Sequence, residues 1–419
     1  MTRTLYLHIG MHKTGTTSLQ NALAANMQAL ADQDFAYVTG RNDNNLHEFV
    51  TKLDKENLAT TGFHMRKPEE FIRVLTAPTA PRIIASSESM SYFFHRTAVD
   101  ELAELLRPHF DDIRIISYLR RQDQLAISHH QEGAKPQNKP AARIYGHSPT
   151  ALPQQSEMPS LYLDYETRIG HWADVFGEAA ITLRIFDRKF LKNGDAIADF
   201  LDVAGIDPSN FIPTENLNVS MGLGRTKVGH ILNELVEHQQ TKMRILSKIS
   251  DDEKLLPRRD DAVRYVERYA AGNAALNARF KINDLPGLFS DDFSAYPENG
   301  NEDWTEKTAD TALRAFAQVV DSLSKDQAGL TAEELRDVAG LYKATKPELA
   351  MKFLRAALVL RPEGNLIKQR IVALQDQMDG KGKPAGVAGP KGKGGGKRKS
   401  GRRLRKSAQA APASREKVE

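Results

Sequence analysis

The chain has 419 residues, 40% of them apolar and 27% charged, and it contains no cysteine. That composition describes a globular protein with room for more than one domain, and it excludes disulfides, thiolate nucleophiles and Cys-ligated metals. The net charge of +4 hides an asymmetry, because residues 380–419 carry 13 Lys and Arg against 2 acidic residues and leave the remainder at −7. Whole-chain charge therefore says little about the surface of the body. No segment approaches the roughly 18–20 apolar residues of a membrane-spanning helix, and the N-terminus lacks a leader pattern, so a cytoplasmic location is expected.

In chain order, residues 5–10 (Leu5-Tyr6-Leu7-His8-Ile9-Gly10) form an apolar strand that runs through Met11-His12 into Lys13-Thr14-Gly15-Thr16-Thr17-Ser18 and then into a helix over about 17–32. A strand feeding a Gly/Thr turn at a helix start aims backbone N–H groups, a lysine and the positive end of the helix dipole at one point, which makes it a phosphate site. The lysine precedes the glycine, so the order is not that of a Walker A loop. Residues 82–87, 113–119 and 180–186 are further strand-like runs, and helical patterns over 98–106, 122–132 and 165–176 lie between them. Short buried strands alternating with helices predict an α/β fold with a parallel sheet flanked by helices, its ligands at the carboxyl ends of the strands.

The run at 82–87 is followed by Glu88, where a strand-end carboxylate would serve as a proton acceptor; a structural role holding loop N–H groups or pairing with Lys13 is the alternative. The strand 113–119 ends in Arg120-Arg121, and Ser128 follows eight residues after Arg120 on the next helix. Two helical turns bring that serine back beside the strand end, so arginine and hydroxyl together form a candidate phosphate clamp. Residues 134–160 carry five prolines by Pro159 and read as a long loop, a substrate-side flap or a surface insertion. Residues 216–220 precede a helical region that begins near Thr226, in which Tyr265, Tyr269, Asn273 and Leu276 recur at helical spacing. Residues 304–323 read as an amphipathic helix and 335–374 as a helical pair, of which Ala350, Leu354, Ala357 and Pro362 match a tetratricopeptide-type second helix. The Gly/Lys/Pro-rich stretch from 379 is expected to be a disordered basic tail.

The Lys13–Ser18 loop together with Arg120 and Ser128 resembles the sulfotransferase family, in particular its bacterial carbohydrate- and polysaccharide-modifying members, over roughly residues 3–300. The resemblance implies a P-loop-type scaffold and the donor 3′-phosphoadenosine 5′-phosphosulfate (PAPS). Its 5′-phosphosulfate would lie on Lys13, Thr14, Gly15, Thr16, Thr17 and Ser18, and its 3′-phosphate on Arg120 and Ser128, with Arg121 the alternative arginine. It further implies Lys13 at the bridging oxygen of the bond that breaks, Glu88 as the base, and no metal. Shifting the alignment by one residue places Ser87 at the base position, and His47, His95 and His129 are the histidine alternatives. The expected acceptor is a carbohydrate or polysaccharide hydroxyl, met by loops 41–75 and 134–160, and the tail would attract a polyanion or an anionic membrane surface. The implied organisation is a catalytic domain over 1–300, a helical appendage over 301–378 and the tail from 379. A nucleotide-dependent kinase and a non-enzymatic glycan- or partner-binding protein are the competing classes.

Overall fold

The computed structural model describes residues 2–41, 43–52, 62–137, 139–214, 221–250, 253–327 and 331–380. The tail from 381 and the 216–220 segment singled out above lie outside these residues, as do 42 and 53–61 of the 41–75 loop. The chain divides into two compact units, 1–324 and 325–419.

The first unit begins with β1 (Thr4–His8), α1 (Thr16–Ala25), α2 (Met27–Ala31) and β2 (Phe35–Val38). A two-stranded antiparallel ribbon follows, β3 (Val50–Lys52) with β4 (Phe63–Met65), and then α3 (Pro68–Thr76), β5 (Arg82–Ser86), α4 (Arg96–Leu106), β6 (Asp112–Leu119) and α5 (Gln122–Gly133). Next come α6 (Lys139–Tyr145), α7 (Glu157–Leu163), α8 (Tyr165–Phe176), β7 (Ile181–Ile185) and α9 (Ala196–Ala204). The remaining helices are α10 (Leu223–Leu235), α11 (Gln239–Lys248), α12 (Arg259–Glu267), α13 (Ala270–Phe280) and α14 (Glu306–Gln327), the last of which runs across the division between the units.

The main sheet has the order β2-β5-β1-β6-β7, with every pair parallel, so the α/β expectation holds. Its central strand shows why an unbroken apolar run was the right signal. Leu5 and Leu7 face one side with Ile83, Ala85, Ile115 and Leu119, while Tyr6 faces the other with Ile84, Ile116 and Tyr118. Both faces are covered, the first by α4 and α8, which contribute Val99, Leu102, Ile169 and Trp172, and the second by α1 and α9, which contribute Leu19, Leu23, Phe200 and Leu201. A strand buried on both faces alternates in direction without alternating in polarity.

Two expectations change. The proline-rich stretch 134–160 contains α6 and α7, because Pro140 and Pro159 occupy first-turn positions, where the missing N–H has no intrahelical partner to lose. The helical run through Tyr265, Tyr269 and Leu276 is broken between α12 and α13.

The second unit holds three helices among its described residues, where a pair was expected: α15 (Ala332–Tyr342), α16 (Pro347–Leu360) and α17 (Asn365–Met378). A capping box joins Thr331 to Glu334 at the start of α15, and Pro362 falls between α16 and α17. Leu335, Ala339, Ala350, Leu354, Ala357, Ile367 and Leu374 form its core.

Trp172, 1% exposed, lies in the core against Phe93 and Phe176 with near-parallel rings. Trp172→Ala is expected to destabilise the first unit by about 3–5 kcal/mol through lost burial and the cavity left behind. Urea unfolding would register this as a lower midpoint with an unchanged slope.

Candidate functional site

The β1–α1 connection is a tight turn with two left-handed residues. Lys13 (φ 61°) and Gly15 (φ 78°) are left-handed, and Thr14 Oγ1 closes the turn by donating to the Met11 carbonyl at 2.6 Å. Thr14 therefore has its backbone N–H, and not its hydroxyl proton, to offer a ligand. Helix α1 starts at Thr16 without a side-chain cap, which leaves its first N–H groups facing the turn. Thr16 is buried, Ser18 half-buried and Thr17 exposed.

Two neighbouring strand ends, those of β5 and β6, meet this turn at the end of β1. From β5, Glu88 sits against β1 so closely that a Cβ on Gly10 (φ 94°) would stand 3.0 Å from the Glu88 Cα, which requires glycine there. The Glu88 carboxylate accepts from Gln20 Nε2 of α1 at 2.7 Å, and Gln20 also donates to Ser86 Oγ at 3.1 Å. Ser87, the one-residue alternative, is fully buried in the strand end.

From β6, Arg120 Nη1 donates to the Lys13 carbonyl at 3.0 Å, and its guanidinium lies 5.8 Å from the Phe186 ring centroid. Its Nε is buried with no partner among the described residues, where no carboxylate comes within ion-pair distance of it. Burial lowers the guanidinium pKa, against the weaker opposing pull of Tyr296, Asp123 and Tyr165. Arg121, adjacent in sequence, has a different environment. Its Nε and Nη2 bind Asp123 at 2.8 and 2.9 Å, its Nη1 donates to the Ser290 and Asp292 carbonyls, and Phe293 lies 3.9 Å from its guanidinium. At 6% exposure it fastens α5 to the 290–296 segment and has few donors left for a ligand.

Helix α5 then carries Ser128 and Glu132 one turn apart and so on one face. Glu132 Oε1 accepts from Lys13 Nζ at 2.9 Å and from Lys135 Nζ at 2.8 Å, so this face addresses the loop. Burial pushes the Glu132 carboxyl up, but Lys13 and Lys135 outweigh it and hold the pKa at about 2.

A histidine and tyrosine wall that the sequence did not reveal adjoins Lys13. His12 Nδ1 lies 3.1 Å from Ser91 Oγ and 3.0 Å from Tyr162 Oη, and its ring stacks on both Tyr92 and His129. His129 Nε2 pairs with Tyr92 Oη at 3.0 Å. Burial, reinforced by neighbouring cations, holds His12 well below 6.5 and His129 at about 3, so both rings are neutral near pH 7. Arg168 braces the wall from beneath by donating to the Ser91 carbonyl at 2.7 Å. The position of His12 directly before Lys13 was the available signal. Of the histidines singled out, His129 reaches the loop, whereas His47 pairs with surface Asp43 and His95 occupies the N-cap position of α4 beside Gly62 without a side-chain cap bond.

Among the described residues no three His, Asp or Glu side chains gather in metal-ligand geometry, and no helix is long and apolar enough to cross a membrane. A cavity of about 510 Å³ lies near α7, α8 and α13, lined by Asp164, Glu166, Arg268 and Asn273, and contains none of the loop residues.

No family model matches the chain. An uncharacterized protein of Archaeoglobus fulgidus is 34% identical over 95 residues, which is 22% of this chain and 23% of the relative, so the match spans less than a quarter of the relative's length. The crystal structure of a sulfotransferase from Alicyclobacillus acidocaldarius overlays 68% of this chain and 98% of its own at 14% identity, with a TM-score of 0.37. So loose an overlay transfers no function.

The Lys13–Glu132–Lys135 bridge has a definite acid signature. The Glu132 pKa is depressed from 4.5 to about 2 in the folded state, so its stabilisation is complete above pH 4.5 and disappears as pH falls towards 2. The urea stability difference between wild type and Glu132→Gln is expected to be constant from pH 7 to 5, to shrink below 4.5 and to vanish near 2. A difference independent of pH would show that the carboxylate charge contributes nothing.

Proposed function

We propose that the chain is a sulfotransferase that moves the sulfuryl group of PAPS to a hydroxyl of a carbohydrate or polysaccharide acceptor. The observation that carries this reading is Arg120, a half-buried cation whose Nε is buried without a partner and which has no carboxylate partner among the described residues, hydrogen-bonded to the carbonyl of the loop lysine. A guanidinium with a desolvated, unpaired N–H is costly, and an anion supplied by a ligand removes the cost. Its position beside a helix-start anion site suits a ligand with two separate phosphate groups, as PAPS has and ATP lacks.

In this reading the backbone N–H groups of Thr14, Gly15, Thr16, Thr17 and Ser18 hold the 5′-phosphosulfate, with the Thr17 and Ser18 hydroxyls adding donors. Arg120 and Ser128 hold the 3′-phosphate. Lys13 leaves Glu132 for the oxygen bridging phosphorus and sulfur, where negative charge grows as the S–O bond breaks. The acceptor oxygen bonds to sulfur in line with that leaving oxygen, Glu88 takes the hydroxyl proton, and 3′-phosphoadenosine 5′-phosphate departs with the electron pair. Gln20 orients the Glu88 carboxylate by donating to it. The catalytic body is residues 1–300, and the 13 cationic side chains of residues 380–419 hold the enzyme near polyanionic material.

Calorimetry with 3′-phosphoadenosine 5′-phosphate tests the donor assignment. Wild type should bind it more tightly than ATP, and Arg120→Ala should weaken it by about ten- to a hundredfold, the range for a hydrogen bond to a charged group. Arg121→Ala should lower thermal stability and leave nucleotide affinity near wild type. An Arg120→Ala protein that binds like wild type would sink the assignment. With a labelled-sulfate assay, Glu88→Gln should lower turnover by about 10²–10⁴ with nucleotide affinity unchanged, and full biological activity in Lys13→Ala would favour a binding protein instead.

A further inference from the structure

Glu132 ties the loop lysine to Lys135, and Lys135 lines a cavity of about 260 Å³ that also presents Arg143 from α6, His147, Asn233 from α10 and Lys242 from α11. Three of these side chains are cations and none is a carboxylate. Glu132, which pairs with Lys135, already serves two ammonium groups, and Glu234 acts on His147 without lining the cavity. Lys242 Nζ donates to the Asn233 amide oxygen at 3.2 Å, so its contact here is neutral. Burial lowers the His147 pKa, Glu234 opposes this, and Lys242 reinforces it.

Tertiary packing builds the walls of this cavity. Asn233 Nδ2 donates to the Gly133 carbonyl at 2.9 Å, which pins α10 to the end of α5. Gly229 permits that approach, since a Cβ there would stand 2.4 Å from the Ala134 carbonyl oxygen. With Lys135 and Lys242 half-buried and Arg143 exposed, three cations around one concavity repel one another, and a bound anion relieves that repulsion. Ammonium, guanidinium and amide donors together suit an oxyanion with several acceptor lone pairs.

We propose that this cavity is a subsite for an anionic substituent of the acceptor, a carboxylate or a sulfate ester, held next to the transfer centre across the Lys13–Glu132–Lys135 bridge. The assignment of the ligand as acceptor rests on the sulfotransferase reading above. It makes Arg143 and Lys242 specificity-determining residues that take no part in the transfer itself.

The test uses full-length wild type, R143Q/K242Q and the charge-keeping R143K/K242R. Each is titrated at fixed ionic strength with an oligogalacturonate hexasaccharide and its carboxyl-reduced counterpart, with a sulfated galactan hexasaccharide and its desulfated counterpart, and with sodium sulfate. At least one anionic saccharide should bind about tenfold or more tighter than its neutral counterpart, a preference lost in R143Q/K242Q and largely kept in R143K/K242R. Equal binding of charged and neutral forms, no binding of either anionic saccharide, or an unchanged R143Q/K242Q would overturn the subsite. Sodium sulfate binding as tightly as the saccharides would make the cavity an inorganic-anion site and likewise overturn it. Titration of the same samples with 3′-phosphoadenosine 5′-phosphate reports separately: unchanged affinity in the variants shows an intact fold, and absent binding in wild type defeats the donor reading without touching the saccharide result.

Discussion

Parallel pairing of β1 with β5 on one side and β6 on the other brings three strand ends to one edge of the sheet, and the candidate site is assembled there. The pairing sets Leu5 opposite both Ile83 and Ile113, so the positions that follow each strand come out near one another whatever their distance along the chain. Lys13, Glu88 and Arg120 inherit their proximity from that register. The hydrogen bond from Arg120 to the Lys13 carbonyl and the bond from Gln20 to Glu88 then hold the three positions together. A sheet with both faces buried cannot slip its register without exposing apolar side chains, so the site inherits the rigidity of the core.

Much of the fold was legible because its signals are local. The β1 run, the Gly/Thr turn and the α8 pattern around Trp172 each lie within a dozen residues, and each forms the element its spacing implies. The prolines of 134–160 misled because proline marks a helix's first turn as readily as a loop, and only the residues that follow decide which. The adjacent arginines show the other limit. Nothing local separates Arg120 from Arg121, and their fates are set by Asp123 two residues on and by the 290–296 segment some 170 residues away. Glu132 was overlooked for the same reason, since a glutamate near a helix end is ordinary until Lys13 arrives from 119 residues upstream.

The aromatic wall beside Lys13 was the least legible part. His12, Tyr92, His129 and Tyr162 come from four separate elements, and no periodicity links them. Burial keeps the imidazoles neutral, so the wall backs the loop with hydrogen-bonding groups that add no charge. The wall therefore adds no positive charge to that of Lys13 and Arg120.

The contact between Gly10 and Glu88 acts as a gauge for the site. With Glu88 Cα standing where a side chain on residue 10 would begin, the spacing between the anion loop and the carboxylate is set by backbone touching backbone, the shortest spacing a polypeptide allows. No side-chain repacking elsewhere can bring the two closer, and a single methyl at residue 10 drives them apart. Redesign of this chain for reactants of a different size therefore has its coarse adjustment at a residue that has no side chain.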